Sequence, residues 1–310
     1  MTCTHPLLVY KSARSKKVLF NKPFPFAKGF NVPCGQCSGC RAKKVRQWAV
    51  RCMHEAQMHS ENCFITLTFN DWVLNERNQS SVNVKDFQNF MKKLRNSTKK
   101  KIRFFHCGEY GSKRGRPHYH ALLFGYDFPD KTHWATEGGN KTFISDKLKS
   151  LWPYGWSVIG DVSFNSAQYV ASYINKKITG DLAEDHYKTE YDEPIQPEYC
   201  TMSRKPGIGY TFYNKYKFDI YPHDYCEING KKIMPPRYYD ELLKGEDPVL
   251  YEQIKQKRMD QMEDPLEDLD DPKRKRFQDI DDVRKYKQKR SLRKYELDMT
   301  NNIYYDKNIT

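Results

Sequence analysis

The sequence lacks the long apolar run that a membrane-spanning helix requires. No hydrophobic stretch approaches about 18 consecutive apolar residues, which excludes a transmembrane helix. The first 17 residues contain too short an apolar core for a secretory signal peptide, which predicts an intracellular protein. The sequence also has no G-x-x-x-x-G-K-[ST] loop, so we expect no ATP-driven unwinding by this chain itself.

The sequence also lacks a second, separate C-x-x-C pair of the kind that completes many zinc sites. In a reducing compartment its nine cysteines predict thiols or metal ligands, not a disulfide framework. Cys34, Cys37 and Cys40 form two overlapping C-x-x-C steps, which supply most of a tetrahedral zinc site. The fourth ligand stays open between Cys3 and His5, and we assign Cys3 to it as a working hypothesis.

Positive charge is abundant. Among 310 residues, 53 Lys and Arg outnumber 39 Asp and Glu, which gives a formal net charge of +14. Such a surplus favours a polyanionic partner. The 22 Tyr and 17 Phe add aromatic rings suited to stacking on bases. Composition therefore favours nucleic acid as the partner, with a basic protein carrying scattered lysines as the alternative.

Composition and patterning divide the chain into three predicted regions. Residues 1–60 form a Cys-rich N-terminal segment with a basic helix, and residues 61–237 alternate strand-like and helix-like stretches. Residues 238–310 form a charged and mostly helical C-terminal tail. For the tail, a solvated helix and a segment with non-specific DNA affinity or a docking role stay open.

Period-two patterns predict the strands of the middle region. "CFITLTFN" alternates between two faces, and "KIRFFHCGEY" and "HYHALLFG" follow as two more strands joined by a basic turn. Asn229-Gly230 predicts a two-residue hairpin. With the helices between them, these strands predict an α+β fold in which an antiparallel sheet carries flanking helices.

Helical periodicity marks three further segments. "RAKKVRQWAVRCMHEAQMH" has an apolar face opposite a basic one, and "VKDFQNFMKKLR" follows Asn83 as a plausible N-cap. "NSAQYVASYINKKITG" predicts a helix that ends at Gly180.

Two histidines share one face of the strand "HYHALLFG". His118 and His120 are two residues apart, and two imidazoles side by side on a sheet can bind one metal ion. Glu109 ends the neighbouring strand, and antiparallel pairing would bring its carboxylate close to them. The alternative is one core histidine and one solvated histidine. His106 also lies nearby in sequence, which leaves the third ligand less certain than the pair.

Two phenols and an ammonium group share one face of the helix that follows. Tyr169, Tyr173 and Lys176 fall at i, i+4 and i+7. They form either an aromatic stripe in the core or the edge of a site, and Val170 and Ile174 already supply an apolar face. A tyrosine oxygen can attack phosphorus beside a metal ion, and Lys176 can stabilise the phenolate or contact the scissile phosphate.

The motifs "FITLTF", "HYH" and "YVASYINKK", in this order, resemble the three motifs of rolling-circle replication initiators of the HUH endonuclease superfamily. "GEYG", "GRPHYHALLFG", the cysteine-rich start and "MSRKPGIGY" resemble more specifically the replication initiators of gokushovirus-type microviruses. The resemblance spans roughly residues 1–240.

The resemblance implies an antiparallel sheet with flanking helices and a metal-dependent DNA nickase. The family's histidine pair matches His118 and His120, with Glu109 as the third ligand of Mg²⁺ or Mn²⁺. Its paired tyrosines and its lysine match Tyr169, Tyr173 and Lys176. The middle residue of the histidine motif is usually bulky and hydrophobic in the family, and here it is Tyr119, which alternation points to the opposite face.

The resemblance also implies a reaction and its partners. Such enzymes nick single-stranded origin DNA and keep a covalent 5′-phosphotyrosine link. They leave a 3′-OH for the host polymerase, then rejoin the displaced strand. The expected setting is the host bacterial cytoplasm, with a host helicase and no membrane.

Basic residues near these motifs are candidate DNA contacts: Arg114, Arg116, Lys177, Arg204 and Lys205. Arg204 and Lys205 precede a glycine turn whose backbone N–H groups could cradle a phosphate, with a plain turn as the alternative. Two other functions stay open. One is a non-catalytic zinc-containing nucleic-acid-binding protein, and the other is a metal hydrolase whose tyrosines only bind substrate.

Overall fold

The structure is a computed structural model that describes residues 3–12, 17–77, 81–111, 115–176, 182–188, 192–221 and 223–261. Arg114, Lys177 and Gly180 lie outside the described residues, as does residue range 262–310 of the predicted tail. Within the described part of the chain, no helix combines the length and the apolar character needed to cross a bilayer.

Strands and helices follow one another along the described chain. The strands are β1 Leu7–Lys11, β2 Val18–Leu19, β3 Gly29–Val32, β4 Asn62–Thr68, β5 Arg103–Tyr110, β6 Pro117–Phe124, β7 Thr132–Glu137, β8 Asn140–Ile144, β9 Ser157–Gly160, β10 Tyr199–Met202, β11 Cys226–Ile228 and β12 Lys231–Ile233. The α-helices are α1 Ser38–Gln57, α2 Asp71–Arg77, α3 Val84–Thr98, α4 Asp146–Leu151, α5 Phe164–Ser172, α6 Leu182–His186, α7 Tyr210–Ile220, α8 Arg237–Glu246 and α9 Pro248–Asp260.

Contacts group the described residues into two compact units, 3–44 with 220–261 and 45–219. The first unit holds an antiparallel sheet in the order β2-β1-β3 and the hairpin β11-β12. Asn229 and Gly230 both have positive φ, as a type I′ turn requires, so the predicted hairpin is confirmed. The three regions drawn from composition, with boundaries at 60 and 237, stay a prediction.

The second unit is built on a seven-stranded sheet in the order β10-β5-β6-β4-β9-β8-β7, with antiparallel pairing throughout. Residues of α3 and α4 pack against one face, and residues of α1 and α5 pack against the other. The predicted α+β fold, an antiparallel sheet with flanking helices, is confirmed.

Strand β4 is buried on both faces, as its alternation predicts. Cys63, Ile65 and Leu67 belong to the core under α3 and α4, whereas Phe64 belongs to the core under α1 and α5. Thr66 lies on the same face as Phe64 and is 1% exposed. Buried hydroxyl groups need hydrogen-bond partners, so this polar position marks the face that carries a site.

The predicted helix at residues 165–180 is shorter than expected. α5 ends at Ser172, and a 3₁₀ turn, Tyr173–Asn175, follows it. The Ser172 hydroxyl donates at 2.7 Å to the carbonyl of Tyr169, the acceptor that the Tyr173 N–H would use in an α-helix. The prediction of one continuous α-helix through Tyr173 is therefore wrong, and a local side-chain hydrogen bond is the reason.

A buried ion pair anchors the turn at residues 203–209 to the sheet. Glu55, 1% exposed, accepts hydrogen bonds from the Arg103 guanidinium and, at 2.7 Å, from the backbone N–H of Gly209. Arg103 also donates at 2.8 Å to the carbonyl of Pro206. The pair therefore ties α1, β5 and this turn together.

We expect Glu55→Ala to lower the free energy of unfolding by about 3–5 kcal/mol, because the Arg103 charge stays buried without its partner. Urea denaturation followed by circular dichroism measures this loss. Glu61→Ala is the matched control. Glu61 pairs with Lys100 while 48% of its side chain is exposed, and such surface pairs contribute about 0–1 kcal/mol. Equal losses in the two variants would contradict the anchoring role.

Candidate functional site

The register of three central strands brings the predicted histidines and carboxylate to one place. His118 of β6 pairs with Glu109 of β5 on one side and with Thr68 of β4 on the other. His120 lies between Cys107 and Thr66 in the same way. Directly paired residues of antiparallel strands project to the same face. His118, His120 and Glu109 therefore share the face covered by α1 and α5.

Tyr119 and His106 project to the opposite face. The Tyr119 hydroxyl accepts a hydrogen bond from the Asn83 N–H at 2.8 Å and donates to Asp86 Oδ2 at 2.9 Å. The His106 ring stacks on Phe87, with 3.6 Å between the ring centroids. His106 is thus removed from the histidine pair, and Glu109 is the carboxylate that meets it.

Hydrogen bonds at Nδ1 orient both imidazoles of the pair. His120 Nδ1 lies 2.9 Å from the Thr66 hydroxyl, and His118 Nδ1 lies 2.6 Å from the Arg116 carbonyl, to which it donates. The two rings are nearly parallel, with an interplanar angle of 4° and 6.3 Å between their centroids. Both Nε2 atoms therefore stay available as ligand atoms, the arrangement that histidines bound to metal ions adopt.

The two candidate nucleophiles converge on His120. The Tyr169 hydroxyl lies 3.3 Å from His120 Nε2, and the Tyr173 hydroxyl donates to the Tyr169 oxygen at 2.8 Å. Tyr169 is 4% exposed and Tyr173 is 2% exposed. The tyrosines thus combine the two alternatives left by the sequence, because they belong to the core and also face the histidines.

Lys176 borders this group from the solvent side. Its Nζ lies 3.6 Å from Glu109 Oε2 and 4.2 Å from the centroid of the Tyr173 ring. The side chain is 42% exposed, whereas that of Glu109 is 3% exposed. Lys176 is therefore the cation that an incoming phosphate can meet beside the buried hydroxyls.

The electrostatics of the site favour an ionised carboxylate and neutral phenols. Burial alone would raise the pKa of Glu109, but the hydrogen bond from His120 and the nearby positive charges outweigh it and lower the pKa. Burial lowers the pKa of His118 and keeps it neutral. Burial, with the Glu109 charge adding to it, holds the pKa of Tyr173 well above its ordinary value. A phenol here needs a further positive charge before it can react.

The donor set of this site fits a divalent metal ion in its chemistry. Glu109 Oε1 lies 3.2 Å from His120 Nε2, and the buried Glu109 Oε2 has no hydrogen-bond partner among the described residues. Two neutral imidazoles with one carboxylate suit Mn²⁺, and a carboxylate with water suits Mg²⁺. The three groups do not bring their ligand atoms within 4.8 Å of one another. Among described residues, only the four N-terminal cysteines do so.

The N-terminal cysteines form a cluster that can hold a metal ion such as zinc. The Sγ atom of Cys3 lies 3.6 Å from that of Cys34 and 3.7 Å from that of Cys37, and Cys40 completes the group. A Zn–S distance of about 2.3 Å places tetrahedral sulfurs about 3.8 Å apart, whereas a disulfide needs about 2.05 Å. The spacing therefore matches metal ligands.

The fourth position of this cluster belongs to Cys3, not to His5. His5 Nδ1 hydrogen-bonds the Thr4 hydroxyl at 3.1 Å. The Thr4 N–H lies 3.4 Å from Cys37 Sγ. Burial raises the pKa of Cys37, but hydrogen bonds led by those from Thr4 lower it to about 5. Cys37 is thus the thiol most readily converted to the thiolate that binds metal.

The predicted DNA contacts differ in their surroundings. Arg116 donates at 2.9 Å to the Phe69 carbonyl and pairs with Asp71, so protein groups already occupy its guanidinium. Arg204 and Lys205 are exposed on the turn anchored by Glu55. Because that carboxylate binds the Gly209 N–H, phosphate contacts at this turn fall to the side chains. All these DNA contacts stay predictions.

Two groups that position the site were missed from the sequence. Thr66 holds the ring of His120, and Ser172 ends α5 between the two tyrosines. The signal for Thr66 was present, because the central strand "CFITLTFN" puts threonines on one face of an otherwise apolar stretch. Ser172 gave no comparable signal, since serine also occurs on exposed helix faces.

Comparison with known proteins assigns the chain to a family. The family model for replication-associated proteins of the ORF2 type matches residues 62–178, a range that contains the histidines, Glu109 and both tyrosines. The chain is 31% identical over 280 residues to replication-associated protein VP4 of Bdellovibrio phage phiMH2K, and the match covers 85% of this chain and 83% of that protein.

Two further relatives carry similar names. Replication-associated protein ORF2 of Spiroplasma virus 4 is 29% identical over 283 residues, 83% of this chain and 86% of that protein. Replication-associated protein ORF4 of Chlamydia phage 1 is 30% identical over 227 residues, 69% of this chain and 54% of that protein. No solved structure matches the chain. The chain belongs to the family of replication-associated proteins of gokushovirus-like microviruses.

Proposed function

We propose that this chain starts rolling-circle DNA replication by nicking single-stranded origin DNA with a tyrosine nucleophile of the HUH type. One observation carries the proposal: the Tyr169 hydroxyl lies 3.3 Å from His120 Nε2, which itself lies 3.2 Å from the Glu109 carboxylate. A nucleophile and a metal-binding donor set thus meet on one buried face. The replication-associated names of the relatives support a role in phage replication.

His118, His120 and Glu109 would hold the divalent ion. When bound, the ion supplies positive charge that stabilises the transition state of phosphoryl transfer. The Thr66 hydroxyl and the Arg116 carbonyl fix the two rings so that their Nε2 atoms face the ion. We propose that Mg²⁺ and Mn²⁺ both serve, with Mn²⁺ at least as effective because two of the three ligands are imidazoles.

Tyr169 makes the first attack in this proposal. Its oxygen is the one in contact with His120, and it accepts the hydrogen bond from Tyr173. That hydrogen bond stabilises negative charge as it develops on the Tyr169 oxygen. Tyr173 stays protonated in this role, in line with its raised pKa. It becomes the nucleophile of the second transfer, when Tyr169 is occupied.

The covalent step exchanges one P–O bond for another. The Tyr169 oxygen bonds to phosphorus while the bond from phosphorus to the 3′ oxygen breaks. The tyrosine keeps the 5′ end as a phosphotyrosine, and the released oxygen takes up a proton to become a 3′-OH. The phenol gives up one proton in the same step, so the proton count balances. Lys176 neutralises charge on the scissile phosphate from the solvent side.

The remaining roles follow the same proposal. Residues 61–237 act as the catalytic domain, with Arg114, Arg116, Lys177, Arg204 and Lys205 as candidate contacts to DNA. The 3′-OH serves a host polymerase, and a host helicase separates the strands in the bacterial cytoplasm.

Substituting the two tyrosines separates their roles. We expect Tyr169→Phe to abolish the covalent adduct with a labelled single-stranded origin oligonucleotide. Tyr173→Phe should still form it, about 3–10-fold more slowly, because it loses one hydrogen bond to the nucleophile. Denaturing gel electrophoresis of the adduct measures both. Tyr126→Phe, which alters a tyrosine packed in the core of the opposite face, is the control.

Three outcomes of that experiment would decide between mechanisms. An adduct in Tyr169→Phe but not in Tyr173→Phe reverses the order of the tyrosines. Cleavage without any adduct means metal-dependent hydrolysis, with the tyrosines only binding substrate. Neither adduct nor cleavage, with intact DNA binding, means a non-catalytic nucleic-acid-binding protein.

Removing an imidazole should remove metal-dependent cleavage. We expect His118→Ala and His120→Ala to lose nicking at all Mg²⁺ and Mn²⁺ concentrations that support the wild type, because each loses a ligand of the ion. Titration of each metal in an oligonucleotide cleavage assay measures this loss. His133→Ala, at an exposed position of β7, is the control. Normal nicking by both variants would end the metal assignment.

We also propose that the four cysteines bind one structural zinc ion. The first unit contains short strands, and its three-stranded sheet has only one fully buried strand residue, Val9, among those described. A zinc ion would supply stability that so small a core cannot.

Elemental analysis tests the zinc site. We expect about one zinc per purified chain, and a large loss of zinc in Cys34→Ser and Cys37→Ser. Cys200→Ser should keep its zinc, since Cys200 lies on β10 outside the cluster. A chelator should lower the melting temperature of the wild type. Absence of zinc from protein purified without chelator would refute the site.

A further inference from the structure

A groove lies where β4, β9 and α4 meet, at the end of the sheet that carries His118. Its volume is about 580 Å³, and Trp156, Gly155, Asn70, Asp146 and Lys149 are among the residues that line it. The volume falls within the range of small-ligand sites, about 300–1,000 Å³. The groove belongs to none of the residues assigned above to metal binding or to nucleophilic attack.

The sheet register places Trp156 in the same row as the catalytic candidates. The Thr68 N–H donates to the Trp156 carbonyl at 2.9 Å, which extends the pairing of Leu67 with Ser157 by one residue. Thr68 also pairs with His118. Trp156 and His118 are therefore two strand spacings apart, about 10 Å, with their side chains on the same face by alternation.

Gly155 permits this close approach of the groove to β4. A Cβ atom at Gly155 would lie 2.5 Å from the Thr68 carbonyl oxygen and 2.6 Å from the Asn70 nitrogen, far inside contact distance. A glycine is therefore needed to bring the following indole against the end of β4. The groove is a built feature of this sheet end, not a gap between loops.

The groove lining suits a nucleotide. Trp156 offers an indole surface, with the Trp134 ring edge-on at 5.4 Å, and its buried Nε1 donor has no partner among the described residues. Asn70 gives its side-chain oxygen to the Val73 N–H, which leaves the amide NH₂ to donate. Lys149 is exposed at the rim. Stacking surface, hydrogen-bond groups and a cation are what single-stranded DNA sites combine.

We propose that this groove binds one nucleotide of the single-stranded substrate, with its base stacked on Trp156 and its phosphate near Lys149. This inference rests on the proposed function, because it assigns a specificity position to the same substrate. A base held two strands from His118 would set the register of the DNA, so that one particular phosphate reaches Tyr169.

The test compares strands with and without bases. Fluorescence anisotropy with EDTA, which prevents nicking, measures binding of the full-length protein to a labelled 12-nucleotide dC strand and to an abasic strand of equal length. We expect Trp156→Ala to weaken binding of the dC strand about 10-fold and to leave binding of the abasic strand unchanged. Trp156→Phe should retain most of the affinity. Phe218→Ala, which alters a 79% exposed ring outside the groove, should change neither.

A second measurement needs no substitution at the indole. Wild-type protein irradiated with a strand containing 5-iodocytosine should carry its crosslink on the peptide that contains Trp156. Lys149→Ala should weaken binding of both strands alike and reduce the salt slope by about one unit. Equal losses of Trp156→Ala on both strands, or crosslinks that map only elsewhere, would overturn the proposal.

Adduct formation separates this inference from the function on which it rests. With Mn²⁺ and saturating DNA, Trp156→Ala should still form the covalent adduct, since the indole does not touch the nucleophile. If the wild type forms no adduct while base-dependent binding at Trp156 holds, the nicking mechanism falls and the groove stands. If the wild type forms the adduct while Trp156→Ala binds the dC strand normally, the groove alone falls.

Discussion

The pairing register of β4, β6 and β5 is the constraint on which the candidate site depends. β6 lies between the other two strands, so each histidine has one neighbour on either side and Glu109 falls beside His118. A slip of one residue in β6 would turn both imidazoles to the opposite face. Tyr119 makes such a slip unfavourable, because its hydroxyl is hydrogen-bonded to Asp86 and the Asn83 backbone on the far side of the sheet. The hydroxyl that departs from the family's hydrophobic residue thus helps to hold the histidines in place.

Burial gives the site its chemical character. Charges interact more strongly in a protein interior than in water, and Glu109 keeps a lowered pKa there because His120 and Lys176 surround it. The same burial keeps the phenols protonated, as the raised pKa of Tyr173 indicates. A tyrosine nucleophile placed here is inert until positive charge and a phosphate arrive together. That property suits an enzyme that must cut only at a correctly bound strand.

The sequence predicted what depends on local periodicity and missed what depends on long-range pairing. Alternation placed His118 and His120 on one face, and it also implies that His106 and Glu109, three residues apart, lie on opposite faces. Only the register with β6 shows which of the two meets the histidines. Likewise Cys3 lies 31 residues from Cys34, and chain folding alone brings the two sulfurs together. The end of α5 was missed because one serine hydroxyl overrides a helical pattern that continues beyond it.

The two donor sets in this chain differ enough to keep their metals apart. Four thiolates are soft ligands, and their spacing near 3.6 Å fits the tetrahedral geometry of zinc. Two imidazoles and a carboxylate are harder, and three protein ligands leave coordination positions for phosphate oxygens. A zinc ion at the cysteines would be closed to substrate, whereas the histidine site must stay open. Because open sites of this kind bind metal more weakly than four thiolates do, free zinc would fill the cysteine cluster first and leave the histidine site to the abundant Mg²⁺ or Mn²⁺.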